Sequence, residues 1–346
     1  MVFAGVMLLW AGPARAGSLD EVRPYLRSVR SPEGSLSLEV VLRRLAPTRG
    51  EGPAVWLAAV THLGTREYYA ELQRFLDGCP LVLFEAVRTD EDGRPGEREG
   101  YSLQADLAKA LGLVFQLEAM DYDRPHFRNS DLPLEQIVRI LGGATNDVAV
   151  APGGRQPAAG AVEFGALMQA MTGEGLMGGL ARMSVALLGA SPRLQAATKV
   201  AMIEVLSDLP GDLSSLPGLP AGMQRLLRVL IEERNLAVVG DVRDALGKSP
   251  ASGSVAVFYG AGHMADLELR LCRELGYRPV EDRWLQAFAV NPRAMGVSEF
   301  EVAFTTRLVR AQLKGLGRAQ DGGASVTNAP PPKPEAQEAG VEPLNR

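Results

Sequence analysis

The run VWLAAVTH, residues 55–62, is an apolar strand candidate that ends in a histidine, and a helix-like run from Thr65 to Leu76 follows it. The pattern returns late in the chain as VAVFYGAGH, residues 255–263, followed by a helix-like run from Met264 to Leu275. The chain contains 3 histidines, and two of them occupy this position. Ligands and catalytic groups collect beyond the carboxyl ends of strands in open α/β sheets. The repeated pattern therefore predicts an α/β fold with a metal or acid–base site at that edge.

Composition limits the class of protein. At 346 residues the chain is long enough for one large domain or two modest ones. Its hydrophobic fraction of 46% and charged fraction of 22% are typical of a globular protein. A net charge of −5 provides no basic surface, so we expect no nucleic-acid partner.

The beginning of the chain has the features of an export signal. Residues 2–11 are mostly apolar, and Ala14-Arg15-Ala16 has the small-x-small form of a cleavage site. Residues 1–16 are therefore predicted to be a signal peptide, and the mature protein to be exported to the periplasm or secreted. The apolar stretch is too short for a permanent membrane span.

Several further segments have predicted structures. Residues 17–315 are expected to form one α/β domain, which begins with a short helix over Leu19 to Arg30. Pro80 to Glu85 is a second strand that completes a βαβ unit. Asp131 is interpreted as a helix N-cap, and Met223 to Asn235 as a helix that ends in Glu-Arg-Asn.

Two segments differ in composition from the rest of the domain. Residues from about 162 to 222 are helical in character and rich in Met and Gly, which indicates a helical insertion. Helices that cover the sheet are the simpler interpretation, and a flexible lid or greasy substrate groove is the alternative. Residues 316–346 are rich in Gly, Pro, Ala and Glu and are predicted to be disordered. The predicted fold is a mixed central sheet flanked by helices, with a Met/Gly-rich insertion.

The only cysteines are Cys79 and Cys272. An oxidising compartment would permit a disulfide bond between them. Their apolar surroundings in the sequence favour two free, buried thiols instead.

Five polar residues form the candidate site. They stand at strand ends or at the end of the helix that precedes the second histidine, and they are His62, Glu85, Glu233, Arg234 and His263. Imidazoles with carboxylates suit a divalent metal such as Mn, Co or Zn. We predict His62, His263 and Glu85 as metal ligands. The simpler alternatives are structural histidines, a solvated Glu85 and an ordinary Glu233–Arg234 ion pair.

These motifs resemble those of the TraB/PrgY/GumN superfamily, which includes the Tiki metalloproteases and is related to the erythromycin-esterase (EreA/ChaN-like) fold. Gly260-Ala261-Gly262-His263 matches a G-x-x-H motif, and the first copy, residues 59–62, has Ala59 in place of Gly. Glu85 corresponds to the family's glutamate, residues 233–235 match its E-R-N motif, and Ser130-Asp131 is similar to its Ala-Asp pair. The resemblance implies a pocket where both histidines and both glutamates converge, and metal-dependent amide hydrolysis.

The leading hypothesis is an exported, metal-dependent hydrolase of the peptidase type that acts on a peptide or protein. Glu85 or Glu233 would be a ligand or the general base, and Arg234 would stabilise oxyanion charge. The rival is a non-catalytic protein that binds or sequesters a peptide or hydrophobic ligand. A haem- or iron-binding role is a third option, by analogy with ChaN-like proteins.

Overall fold

The computed structural model describes residues 22–86, 102–141, 183–208, 221–248, 253–304, 306–307 and 311. The predicted signal peptide, the tail from 316 to 346 and most of the predicted insertion lie outside these stretches. None of the helices within them combines the length and the apolar character that crossing a membrane requires.

The described chain alternates strands and helices. The strands are β1 (Leu26–Arg30), β2 (Leu36–Pro47), β3 (Ala54–Val60), β4 (Leu63–Gly64), β5 (Leu81–Phe84), β6 (Val114–Phe115), β7 (Phe127–Asn129), β8 (Ser254–Gly260) and β9 (Tyr277–Val290). The helices are α1 (Arg66–Asp77), α2 (Ser102–Ala110), α3 (Gln116–Ala119), α4 (Leu134–Ile140), α5 (Pro192–Asp208), α6 (Ala221–Arg228), α7 (Arg234–Leu246) and α8 (Met264–Leu275).

A mixed central sheet flanked by helices confirms the predicted fold class. Strands β3, β8, β5 and β7 are parallel neighbours in that order, and β2 joins β3 in antiparallel fashion. Strands β1 and β9 both pair with β2, also antiparallel. Every residue of β3 is buried, as expected for a parallel strand that is covered on both faces. Strand β8 lies between β3 and β5, so the two strands of the predicted βαβ unit are parallel but not adjacent.

The two histidine units differ in detail. His62 follows β3, but the two-residue strand β4 separates it from α1 and pairs with β6. Helix α1 is capped by Thr65, whose side chain accepts a hydrogen bond from the Tyr68 N–H at 3.2 Å. His263 lies in a 3₁₀ turn between β8 and α8, so only the second unit turns directly from strand to helix.

Three local predictions are wrong. Residues 26–30 form strand β1, because their backbone pairs with β2. Asp131 does not cap a helix: α4 has Pro133 at its N-cap and no side-chain cap. The helix predicted to end at Asn235 instead passes through a π-helical turn, Val229–Glu233, and continues as α7. Single π turns inside helices are frequent at functional sites.

Candidate functional site

A cavity of about 580 Å³ opens beside the carboxyl ends of β3 and β8. His62, Glu85 and His263 all line it. The rest of the wall is mainly apolar and comes from residues 22–26 at and before the start of β1, from α2, from α5, from the π-helical turn and from β9. Concave, largely apolar sites with a few convergent polar groups are the usual form of small-molecule sites. The three predicted metal ligands therefore share one cavity, at the predicted edge of the sheet.

Glu85 follows β5 and is held in place through both carboxylate oxygens. Its Oε2 accepts a hydrogen bond from the Gly260 N–H at 2.8 Å, and its Oε1 accepts one from Arg234 at 2.7 Å. A Cβ at Gly260 would come within 3.3 Å of Oε2, so glycine leaves room for the carboxylate. Burial alone would raise the pKa of Glu85, but the charge of Arg234 outweighs it and, with the Gly260 N–H, holds the pKa well below its ordinary value. Glu85 is therefore an ionised group at neutral pH and a weak proton acceptor.

Arg234 is buried and connects two carboxylates. Its Nε and one terminal nitrogen donate to the two oxygens of Asp131 at 2.8 and 2.6 Å, and the same terminal nitrogen reaches Glu85. Burial would lower the pKa of the guanidinium, but Glu85 and Asp131 raise it. Arg234 is not among the described residues that line the cavity. Its geometry is that of a positioning residue for Glu85 and not of an oxyanion donor.

Asn235, which is completely buried, orients His263. Its amide nitrogen donates to the His263 carbonyl at 3.1 Å and to Asp266 at 2.8 Å, so its Oδ1 is the acceptor that faces His263 Nδ1 at 2.8 Å. Nδ1 therefore carries the proton, and Nε2 is left to point at Glu85 Oε1, 3.4 Å away. The rings of Tyr259 and His263 also pack in a T-shaped arrangement, with ring centroids 5.4 Å apart.

His62 has a similar amide partner on another wall of the cavity. Gln116 donates from its side-chain nitrogen to the Tyr122 hydroxyl at 2.9 Å, so its Oε1 is the acceptor for His62 Nδ1 at 3.2 Å. The Gln116 N–H also donates to the His62 carbonyl at 2.9 Å. His62 is exposed, whereas the His263 residue is only 7% exposed. Both imidazoles are thus oriented through Nδ1, which leaves Nε2 as the ring nitrogen that can meet a ligand.

The charges around His263 leave a place for a cation. Two carboxylates, Glu85 and Asp131, share one guanidinium, that of Arg234, so one negative charge is in excess. A lone pair on His263 Nε2 would face a Glu85 oxygen, which is repulsive unless a proton or a metal ion lies between them. Two ligands at the usual zinc distances of roughly 2.0–2.1 Å in a tetrahedral site lie about 3.4 Å apart. The observed 3.4 Å between Nε2 and Oε1 fits such an edge.

His263 Nε2 and Glu85 Oε1 supply two metal-ligand atoms, which is not a complete ligand set. Within the stretches that the structure describes, no group of three or more His, Cys, Asp or Glu side chains could hold a metal ion. His62, Glu85 and His263 therefore share the cavity without forming a three-ligand site among themselves.

Glu233 lies apart from these residues. It ends the π-helical turn, is half-buried, and is not among the described residues that line the cavity. Neighbouring side chains of a helix point in different directions, so Arg234 and Asn235 reach the site while Glu233 does not.

Sequence reasoning missed three supporting residues. Asn235 was part of the Glu-Arg-Asn motif without a role, and Asp131 had been interpreted as a cap. Both lie in segments that carried the family resemblance, so the motifs themselves were the available signal. Gln116 had no such signal, because only the pairing of β4 with β6 brings it to His62.

No protein-family model, curated protein or solved structure matches this chain.

Proposed function

We propose that this protein is an exported, metal-dependent hydrolase of amide bonds, of the peptidase type. The observation that carries the proposal is the His263–Glu85 pair, in which Nε2 of the imidazole and Oε1 of the carboxylate lie 3.4 Å apart inside a mostly apolar cavity. The resemblance of residues 233–235 and 260–263 to the TraB/PrgY/GumN motifs supports the same chemistry.

His263 and Glu85 are the proposed ligands of a divalent cation such as Mn, Co or Zn. When bound, such an ion lowers the pKa of a coordinated water and polarises a carbonyl. Asn235 keeps His263 Nε2 directed toward Glu85, and Arg234 with Gly260 keeps Glu85 ionised and in place, so the two residues would hold such an ion between them. Asn235, Arg234 and Gly260 would thus act by orienting the two ligands and not by binding the ion themselves.

His62 is the proposed proton carrier. It is the exposed imidazole of the cavity, and Gln116 fixes its ring through Nδ1. In hydrolysis, the oxygen of water forms a bond to the carbonyl carbon and the C–N bond breaks. His62 accepts the proton of the attacking water at Nε2 and returns it to the leaving amine. Glu233 has no part in this scheme because of its position.

Metal binding and amide hydrolysis measured separately test the proposal. Protein purified without chelator is titrated with Mn, Co and Zn, with melting temperature and metal content as readouts, and is then assayed on a pool of fluorogenic peptides. We expect His263→Ala and Glu85→Gln to lose metal and activity, and His62→Ala to keep metal but lose activity. His126→Ala is the matched control, since this third histidine lies in the loop before β7 and should change neither. Full metal binding and activity in His263→Ala and Glu85→Gln would refute the proposal.

A non-catalytic binding protein is the second candidate. Both oxygens of Glu85 already have protein partners, and most of the cavity wall is apolar, which favours ligand retention. Binding of an apolar ligand with no product under any of the three metals would favour this candidate.

A further inference from the structure

The cavity wall has two chemically distinct parts. The polar part is at the strand ends, where His62, Glu85 and His263 meet the Gly260 backbone. The remainder is built mainly from aliphatic and aromatic side chains, including Leu26, Leu63, Leu107, Met202, Leu206 and Phe288. A ligand that fills this space would therefore have one polar end and an apolar body.

Three polar side chains of the wall away from the histidines bond to other parts of the protein, and Gln104 is a further polar side chain of this wall. The Tyr25 hydroxyl donates to Glu268 at 2.6 Å, and the Thr61 hydroxyl donates to the Leu63 carbonyl at 2.6 Å. Arg23 forms an ion pair with Asp282 at 3.0 Å. A peptide backbone in the cavity would present an N–H and a C=O at every residue, and each one left unpaired on burial costs free energy. A methylene chain carries no such groups.

We infer that the substrate is an amide whose acyl part is a straight aliphatic chain. The chain lies along Leu107, Met202 and Leu206, and its amide carbonyl lies at the His62–His263 end. This inference rests on the proposed hydrolase function, and it narrows the substrate from peptides in general to N-acylated amines and peptides. Met202 and Leu206, both half-buried on α5, are the specificity-determining residues.

Burial of a methylene group contributes about 0.8 kcal/mol, which corresponds to a roughly fourfold gain in affinity for each carbon. We therefore expect the Kd of N-acyl glycines to fall about fourfold per methylene from two carbons upward, until the cavity is full. The measurement is displacement of a fluorescent fatty-acid probe from the full chain. The comparison compounds are unacylated peptides whose extended length equals that of the longest N-acyl glycine. They should bind at least tenfold more weakly than that N-acyl glycine.

The matched variants lie on one helix. Met202→Gln places an amide in the apolar wall and should weaken binding of the longest acyl chain at least tenfold more than it weakens binding of the two-carbon compound. Leu194→Gln makes a similar change at a side chain of the same helix that is 47% exposed and does not line the cavity, and it should change neither affinity. Circular dichroism of both variants verifies that they are folded.

Hydrolysis of the same compounds separates the two proposals. Chain-length-dependent binding without release of glycine would refute the hydrolase and leave the acyl site intact. Hydrolysis with a Kd that does not depend on chain length, or equal binding of unacylated peptides, would overturn the acyl site and leave the hydrolase. Equal effects of Met202→Gln and Leu194→Gln would also overturn it.

Discussion

Replacement of Arg234 by methionine should destabilise the protein strongly and in a pH-dependent manner. The Arg234 side chain is 8% exposed and those of its partners Asp131 and Glu85 are 0% and 20% exposed. Removing one member of a buried ion pair costs about 3–5 kcal/mol, because the partner charge remains buried without compensation. Two carboxylates lose their partner here, although Glu85 keeps the Gly260 N–H and Asp131 keeps the Leu132 N–H. We expect a loss of about 3–5 kcal/mol in the free energy of unfolding at pH 7.

The pH dependence of this loss in unfolding free energy shows whether charge pairing causes it. In the wild type the pKa of Glu85 lies well below its ordinary value of 4.5, so the stability that this carboxylate contributes is present above about pH 4.5 and is lost as the pH falls further. In Arg234→Met the Glu85 carboxylate no longer faces a guanidinium, and its protonation relieves the cost of burying it. The difference between wild type and variant should therefore be greatest at pH 7 and should decrease toward pH 4.

Urea unfolding at pH 7, 5.5 and 4 measures this difference. Arg228→Met is the matched control. Arg228 is the last residue of α6, its side chain is 59% exposed, and its Nε lies 3.8 Å from a carboxylate oxygen of Glu232. It should cost less than about 1 kcal/mol at every pH. A deficit in Arg234→Met that stays constant from pH 7 to pH 4 would show that packing, and not the charge pairing, makes Arg234 necessary, and would refute the reasoning.

Two further predictions concern groups outside the site. Arg43 is fully buried and hydrogen-bonded to Glu268 and Asp282, so Arg43→Met should lower the free energy of unfolding in urea by about 3–5 kcal/mol. Arg27 forms a more exposed pair with Glu39, so Arg27→Met should cost under about 1 kcal/mol. Similar losses in both variants would contradict this expectation. Cys79 and Cys272 are free thiols, as the sequence predicted, but only Cys79 is buried and Cys272 is half-buried. Burial raises the pKa of each to about 11. At pH 8 only about 0.1% of each would be thiolate, so iodoacetamide should label the native protein at least tenfold more slowly than the urea-unfolded chain. Equal labelling rates in the two states would argue against buried thiols.

The sequence by itself determined the α/β class and the position of the site. Continuous apolar runs such as 55–60 and 255–259 are typical of fully buried strands, and a histidine or a glutamate directly after such a strand lies at its carboxyl edge. These are local consequences of composition and order along the chain. They placed His62, Glu85 and His263 correctly at one edge, and all three line one cavity.

The tertiary structure decided what those residues can do. Insertion of β8 between β3 and β5 brings the Gly260 N–H to Glu85, and the π-helical turn directs Arg234 and Asn235 into the site and leaves Glu233 aside. Each of these contacts joins residues far apart in the chain, and hydrogen bonds of this kind depend on register and rotation that no local pattern encodes. For the same reason the sequence could name the candidate ligands but could not assign the proton on His263 to Nδ1, which depends on the orientation of one buried amide.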